Sequence, residues 1–151
     1  MMRKLAFLAA MTALAGFAHP QPGAAQSPGM PVAQMRAALE ATAGQWIQFR
    51  NYDARQWVYF TGLVTWKCGL SEIRYSVNSR DLGERFALPE CNSQIPFHID
   101  PTKDRIYLTF APGGAQTVSV QLVFADGVES PVRTYRPCDV EGDVTCGLLV
   151  E

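Results

Sequence analysis

Histidine is almost missing from this chain of 151 residues, which has only His19 and His98. Nucleophilic and general-base catalysis most often relies on a positioned imidazole, so that scarcity weighs against such chemistry. Basic runs are missing too, and with them the electrostatic footprint of a nucleic-acid or anionic-membrane partner. No two cysteines have the close spacing that a zinc site needs; the four are Cys68, Cys91, Cys138 and Cys146. No apolar stretch reaches the ~20 residues of a membrane-spanning helix. Internal repeats are also absent. No metal or cofactor is expected.

What is present begins at the N-terminus. Arg3 and Lys4 precede the uncharged, Ala/Leu-rich stretch Leu5–Ala18, and small residues follow. These are the parts of a cleavable secretory signal, here of bacterial type. Cleavage could follow Ala18, with Gly16 two residues before it, or Ala25, with Gly23 two residues before it. Pro20 and Pro22 crowd the earlier position, so residues 1–25 are expected to be removed. An uncleaved anchor is the alternative, and the short apolar stretch disfavours it. Because no cysteine precedes Cys68, no lipid-anchored cysteine is expected at the cut. Losing Arg3 and Lys4 leaves 11 basic against 14 acidic residues in the 126 from Gln26 to Glu151, a net charge of about −3. A chain of that size can bury its own core. The sequence therefore predicts a periplasmic or secreted domain without a membrane span.

An even number of cysteines in an oxidising compartment reads as two disulfides. Pairing Cys68 with Cys91 and Cys138 with Cys146 closes two local loops and is the expected arrangement. Chain-entropy arithmetic gives about 3.4 and 2.6 kcal/mol for loops of those sizes.

Residues 26–31 read as a Pro/Gly/Ser linker and 32–151 as one domain. Pro31 suits a first helical position and Gly44 a stop, so a helix is expected over Pro31–Ala43, with Val32, Met35, Leu39 and Thr42 on one side. Strands follow. The first two are expected over Gln45–Tyr52 and Gln56–Cys68, split by Asp53-Ala54-Arg55. In the second, Val58, Phe60, Val64, Trp66 and Cys68 share a face. Ile73, Tyr75 and Val77 mark a third strand ending at Asn78-Ser79, and Arg85–Leu88 a short fourth. Ile106, Leu108 and Phe110 mark another before Gly113-Gly114. Val118, Val120, Leu122 and Phe124 give the cleanest alternation, and Asp126-Gly127 is a hairpin signal. Its partner is Val128–Tyr135, with Pro131 at an edge or bulge. Cys138–Cys146 closes a terminal hairpin around Glu141-Gly142-Asp143. Seven or eight short strands with frequent turns predict a mainly β antiparallel sandwich with one N-terminal helix.

Ile73-Arg74-Tyr75-Ser76-Val77-Asn78 and the Val118–Ser130 hairpin resemble two strands of bacterial immunoglobulin- or fibronectin-III-like accessory domains. The resemblance covers about 20 residues and implies an accessory module rather than a catalytic core. It also raises a rival disulfide, Cys68–Cys138, similar to the inter-sheet bridge of those domains. However, they place Tyr two residues before the second Cys, where this chain has Arg136.

Acid/base work on sugars would need paired carboxylates. Asp81 with Glu84, Asp100 with Asp104, and the group Asp139, Glu141 and Asp143 are the candidates, and each falls in a turn where solvated acids are ordinary. His98, flanked by Phe97 and Ile99, reads as a loop or strand residue. The candidate binding residues are aromatic. If Ile47 and Phe49 point inward on one strand and Val58 and Phe60 on the next, Trp46, Tyr52, Trp57 and Tyr59 share an outer face near Arg50 and Arg55. Such a face could stack sugars or anchor a protein partner. The N-terminal helix, which must bury its stripe somewhere, is expected to lie across it. The resulting expectation is an exported, non-enzymatic interaction module, an accessory subunit or inhibitor of an envelope system. A carbohydrate-binding module and a small carboxylate-dependent hydrolase are the alternatives. The partner would be another envelope or secreted protein, or a glycan.

Overall fold

A computed structural model describes residues 29–139 and 143–151. The expected signal peptide, most of the linker, and Glu141 and Gly142 of the terminal turn lie outside the described residues. Helix α1 spans Val32–Ala41. The Pro31 carbonyl accepts the first two bonds, from Gln34 and Met35, and the Thr42 hydroxyl closes back onto Ala38. A 3-10 turn over Ala43–Gln45 then leads into the sheets.

Among the described residues eight strands form two antiparallel sheets. They are β1 (Gln48–Tyr52), β2 (Arg55–Tyr59), β3 (Leu70–Val77), β4 (Glu84–Phe86), β5 (Tyr107–Phe110), β6 (Val118–Phe124), β7 (Arg133–Pro137) and β8 (Gly147–Leu149). One sheet has the order β1-β2-β5 and the other β4-β3-β6-β7-β8. Between them lies one core, with Ile47, Phe49, Val58, Phe60 and Leu108 facing Ile73, Val118, Val120, Leu122, Phe124 and Tyr135. In β1, β2 and β5 these residues alternate with less buried ones after the period-two signal of the sequence, whereas β6 and β7 also bury Ser119 and Thr134, whose hydroxyls bond each other at 3.1 Å. The sheets also meet at one side, where Phe49 and Cys146 exchange both backbone bonds, at 3.1 and 2.9 Å. The mainly β sandwich with an N-terminal helix is as expected, and so are both local disulfides, Cys68–Cys91 and Cys138–Cys146.

Several expected elements run differently, and the fourth strand spans Glu84–Phe86 rather than Arg85–Leu88. The strand anticipated over Gln56–Cys68 ends at Tyr59 and gives way to helix α2 (Thr61–Val64) and a 3-10 turn over Lys67–Gly69. Phe60, Leu63 and Val64 are all buried, a helical spacing, and the Phe60 carbonyl accepts both later N–H groups. Gly62 permits the turn, since a Cβ there would lie 2.7 Å from the Gln45 carbonyl. Next, β1 starts at Gln48 rather than Gln45, because the 3-10 turn takes up the preceding residues. Finally, Val128–Tyr135 is not one continuous strand. Glu129 bridges Val123, Ser130 bonds Leu122, and the ladder resumes at Arg133 with its register shifted by one residue. Pro131 lies at that break.

Candidate functional site

The outer face of the three-stranded sheet follows from its register. Arg50 lies opposite Trp57 and Trp57 opposite Thr109; Gln48 lies opposite Tyr59 and Tyr59 opposite Tyr107; Tyr52 lies opposite Arg55. Because Phe49, Val58 and Leu108 point into the core, these residues point away from it. Three rings form a cluster. Trp57 and Tyr59 are near-parallel, with planes 15° apart and centroids 6.4 Å apart. Tyr107 meets Trp57 at 4.5 Å and Tyr59 at 6.0 Å, tilted against both. The indole N–H of Trp57 donates to the Tyr52 carbonyl at 3.1 Å, which pins that ring toward the hairpin end.

Tyr52 stands outermost, 53% exposed, and Tyr107 is 39% exposed. The Arg50 guanidinium sits 4.7 Å from the Tyr52 ring centre, at cation–π distance. Asp143, from the disulfide-closed hairpin, accepts two hydrogen bonds from the same guanidinium, one at 2.7 Å. Those bonds, with a smaller contribution from the Tyr59 hydroxyl, raise the Arg50 pKa, while Arg50 holds the Asp143 carboxyl below the usual range. The face therefore combines Trp, Tyr and a fixed cation on a rigid sheet.

The four candidates from the sequence do not stay together. Tyr52, Trp57 and Tyr59 share this face. Trp46 does not: it is 1% exposed, and its indole N–H donates to the Leu39 carbonyl at 2.8 Å. With Trp46 just after a 3-10 turn, strand alternation does not apply to it. The helix also lies elsewhere than expected. Its contacts are with the turn at Gly69, with Asp126 through Arg36, and with Arg133 through Glu40. It buries Trp46 and leaves Trp57, Tyr59 and Tyr52 uncovered by it. Tyr107 was missed, although the alternation of Ile106, Leu108 and Phe110 assigns it to the opposite, outer side. Asp143 carried no sequence signal for its pairing with Arg50, which is 93 positions away.

Asp100, Asp104 and Asp139 bind within their own turns, whereas Asp143 pairs with Arg50 and Glu84 lies in strand β4 rather than in a turn. The Asp100 carboxylate accepts the Thr102 hydroxyl at 2.6 Å and the Thr102 N–H at 3.0 Å, with Lys103 at 3.2 Å, and its pKa falls to about 2 for those reasons in that order. Asp104 accepts the Asp100 N–H at 2.9 Å, and Asp139 pairs with Arg136. Asp81 and Glu84 are exposed, and Glu141 lies outside the described residues. Asp100 and Asp104 border a cleft of about 420 Å³ with Lys67, His98 and Lys103. Lys67 is buried there, and its ammonium donates to the His98 carbonyl. His98 thus contributes its backbone to that contact while its ring sits in an exposed loop residue. Among the described residues no group of three His, Cys, Asp or Glu could hold a metal ion.

No family model matches the chain, and neither a curated protein nor a solved structure shows significant similarity to it.

Proposed function

We propose that this protein is an exported, non-enzymatic interaction module, an accessory subunit or inhibitor of a bacterial envelope system. It engages a protein partner through Tyr52, Trp57, Tyr59 and Tyr107. The observation that carries this reading is the exposed Tyr52, held against the half-buried Arg50, beside the Trp57–Tyr59–Tyr107 cluster, since Trp, Tyr and Arg are the residues that dominate protein hot spots. Export is supported by the composition of residues 1–25 and by the two disulfides, which suit an oxidising compartment. Among the described residues no helix is long and apolar enough to cross a membrane.

A glycan reading draws on a separate observation, the near-parallel Trp57 and Tyr59 rings. One experiment decides between the two. The exported chain and its Tyr52→Ser variant are immobilised and exposed to solubilised envelope proteins and to purified peptidoglycan. The protein-module reading expects a stoichiometric protein captured by the parent chain and lost with Tyr52→Ser. Retention on peptidoglycan without any such protein would replace it with the glycan reading. N-terminal sequencing of the exported product tests the address, with Gln26 as the expected first residue.

A further inference from the structure

Strand β5 has one unused edge. The Phe60 N–H donates to the Ile106 carbonyl at 2.8 Å, in register with the β2–β5 ladder. In an antiparallel pair, bonded and non-bonded residues alternate, so the backbone groups of Ile106, Leu108 and Phe110 face β2. Those of Tyr107 and Thr109 therefore point away from it. No hydrogen bond among the described residues takes them up, and β5 ends its sheet.

The other sheet edges are guarded or occupied. β4 is three residues long and carries Glu84 and Arg85. The edge of β1 is bonded to Cys146 at Phe49, and the charged Arg50 follows it in the strand. β8 starts against β1, where a Cβ on Gly147 would lie 2.1 Å from the Ile47 carbonyl. By contrast, Ile106-Tyr107-Leu108-Thr109-Phe110 has no charge, no proline and no glycine, and every residue in it favours strands or packs well in them. Edges exposed to solvent are normally protected by charge, proline or a bulge, and β5 has none of these.

We infer that β5 pairs with β5 of a second copy of this chain, antiparallel about a two-fold axis through Leu108. The backbone selects that register. With Tyr107 opposite the partner's Thr109, and Thr109 opposite the partner's Tyr107, both outward-facing residues form bonded pairs and four hydrogen bonds result. Leu108 faces the partner's Leu108 in the non-bonded position between them. Centring the pair on Tyr107 or on Thr109 instead would leave one of those residues beyond the other's free groups. A two-fold interface is self-complementary by construction, and an uncharged strand suits it because no like charges meet. Arg105 falls opposite the partner's Ala111, away from the other copy's Arg105. The sheets would join into one of six strands, β1-β2-β5 continuing into β5-β2-β1 of the partner. Tyr107 and Thr109 both lie on the outer side, so the aromatic faces of the two copies would become continuous.

The test uses the exported, disulfide-bonded chain over a wide concentration range. Sedimentation should show a monomer–dimer equilibrium. Amide exchange of Tyr107 and Thr109 should slow as concentration rises, while the Leu108 and Phe110 amides stay protected throughout. Thr109→Lys places a charge on a solvent-facing edge position and should weaken association by at least about tenfold while leaving the monomer folded. Thr109→Pro, which removes one free N–H, is the second variant and should act in the same direction. A chain that stays monomeric at millimolar concentration would overturn the inference. So would a dimer that tolerates both variants, or one whose Tyr107 and Thr109 amides exchange at the same rate at every concentration.

Discussion

Ala54 adopts φ 53 beside Asp53 at φ 52, so both central residues of the β1–β2 turn are left-handed. That is a two-residue hairpin turn whose twist suits the strands, and glycine normally fills its second position. Ala54 bears a steric cost there that exceeds the backbone entropy glycine would add. Ala54→Gly should therefore stabilise the protein by about 0.5–1 kcal/mol, read as a higher urea midpoint at unchanged slope. Asp100 gives a prediction of the opposite kind. Its folded pKa of about 2 lies below the ordinary 3.8, so ionised Asp100 favours the fold above the ordinary value. That contribution is lost as pH falls through about 2. Asp143 and Glu72 act in the same direction. Partial burial pushes the Glu72 carboxyl up, but hydrogen bonds from Arg74 and Arg85 outweigh it. Stability should thus decline from pH ~4 toward pH ~2, and Asp100→Asn should flatten part of that decline in acid titrations followed by circular dichroism. Alternation assigned Tyr52, Trp57 and Tyr59 correctly to one face because they lie within regular strands. It failed at Trp46, where a local 3-10 turn resets the direction of the side chain.

Helix α1 shows what amphipathic spacing can and cannot reveal. Val32, Met35 and Leu39 recur on one side in the sequence, and Met35 and Leu39 are buried. The stripe was legible, but the surface receiving it was not, because that surface is assembled from Gly69, Phe124 and the Asp126 turn, far along the chain. Met35 packs where a Cβ on Gly69 would come 2.5 Å from its sulfur, and the Arg36 guanidinium lies 5.3 Å from the Phe124 ring centre. Apolar contact should outweigh the ion pairs in holding the helix. Leu39→Ala removes a fully buried side chain and should cost about 2–4 kcal/mol. Arg36→Ala breaks a partly exposed pair with Asp126 and should cost under about 1 kcal/mol. Parallel urea titrations of the two variants check the ranking, and equal losses would mean that the helix is held chiefly by charge. Helix α2 escaped the sequence reading for a simpler reason. Four residues are too few for a helical period to stand out from the strand that precedes them.

Across the whole molecule the two disulfides have separable jobs. Residues 87–106 link β4 to β5 with no strand or helix of their own. They are fastened by Cys68–Cys91, by the Lys67 bond to the His98 carbonyl, and by the edge-on Trp66–Phe97 pair at 5.1 Å. Opening that bridge frees a long connection, so Cys68→Ser/Cys91→Ser should lower stability by about 3 kcal/mol, with little change at the aromatic face. The second bridge closes a shorter ring, which carries Asp143 against Arg50 and brings Cys146 onto the edge of β1. Its loss should cost about 2.6 kcal/mol at most, but it should loosen the cation that sits over Tyr52. Cys138→Ser/Cys146→Ser is therefore expected to change the near-ultraviolet signal of the Tyr and Trp rings and to weaken partner capture at temperatures where the chain remains folded. If both double variants lost capture only in proportion to their stability, the Asp143–Arg50 pair would have no part in shaping the face, and the hairpin would be a staple alone.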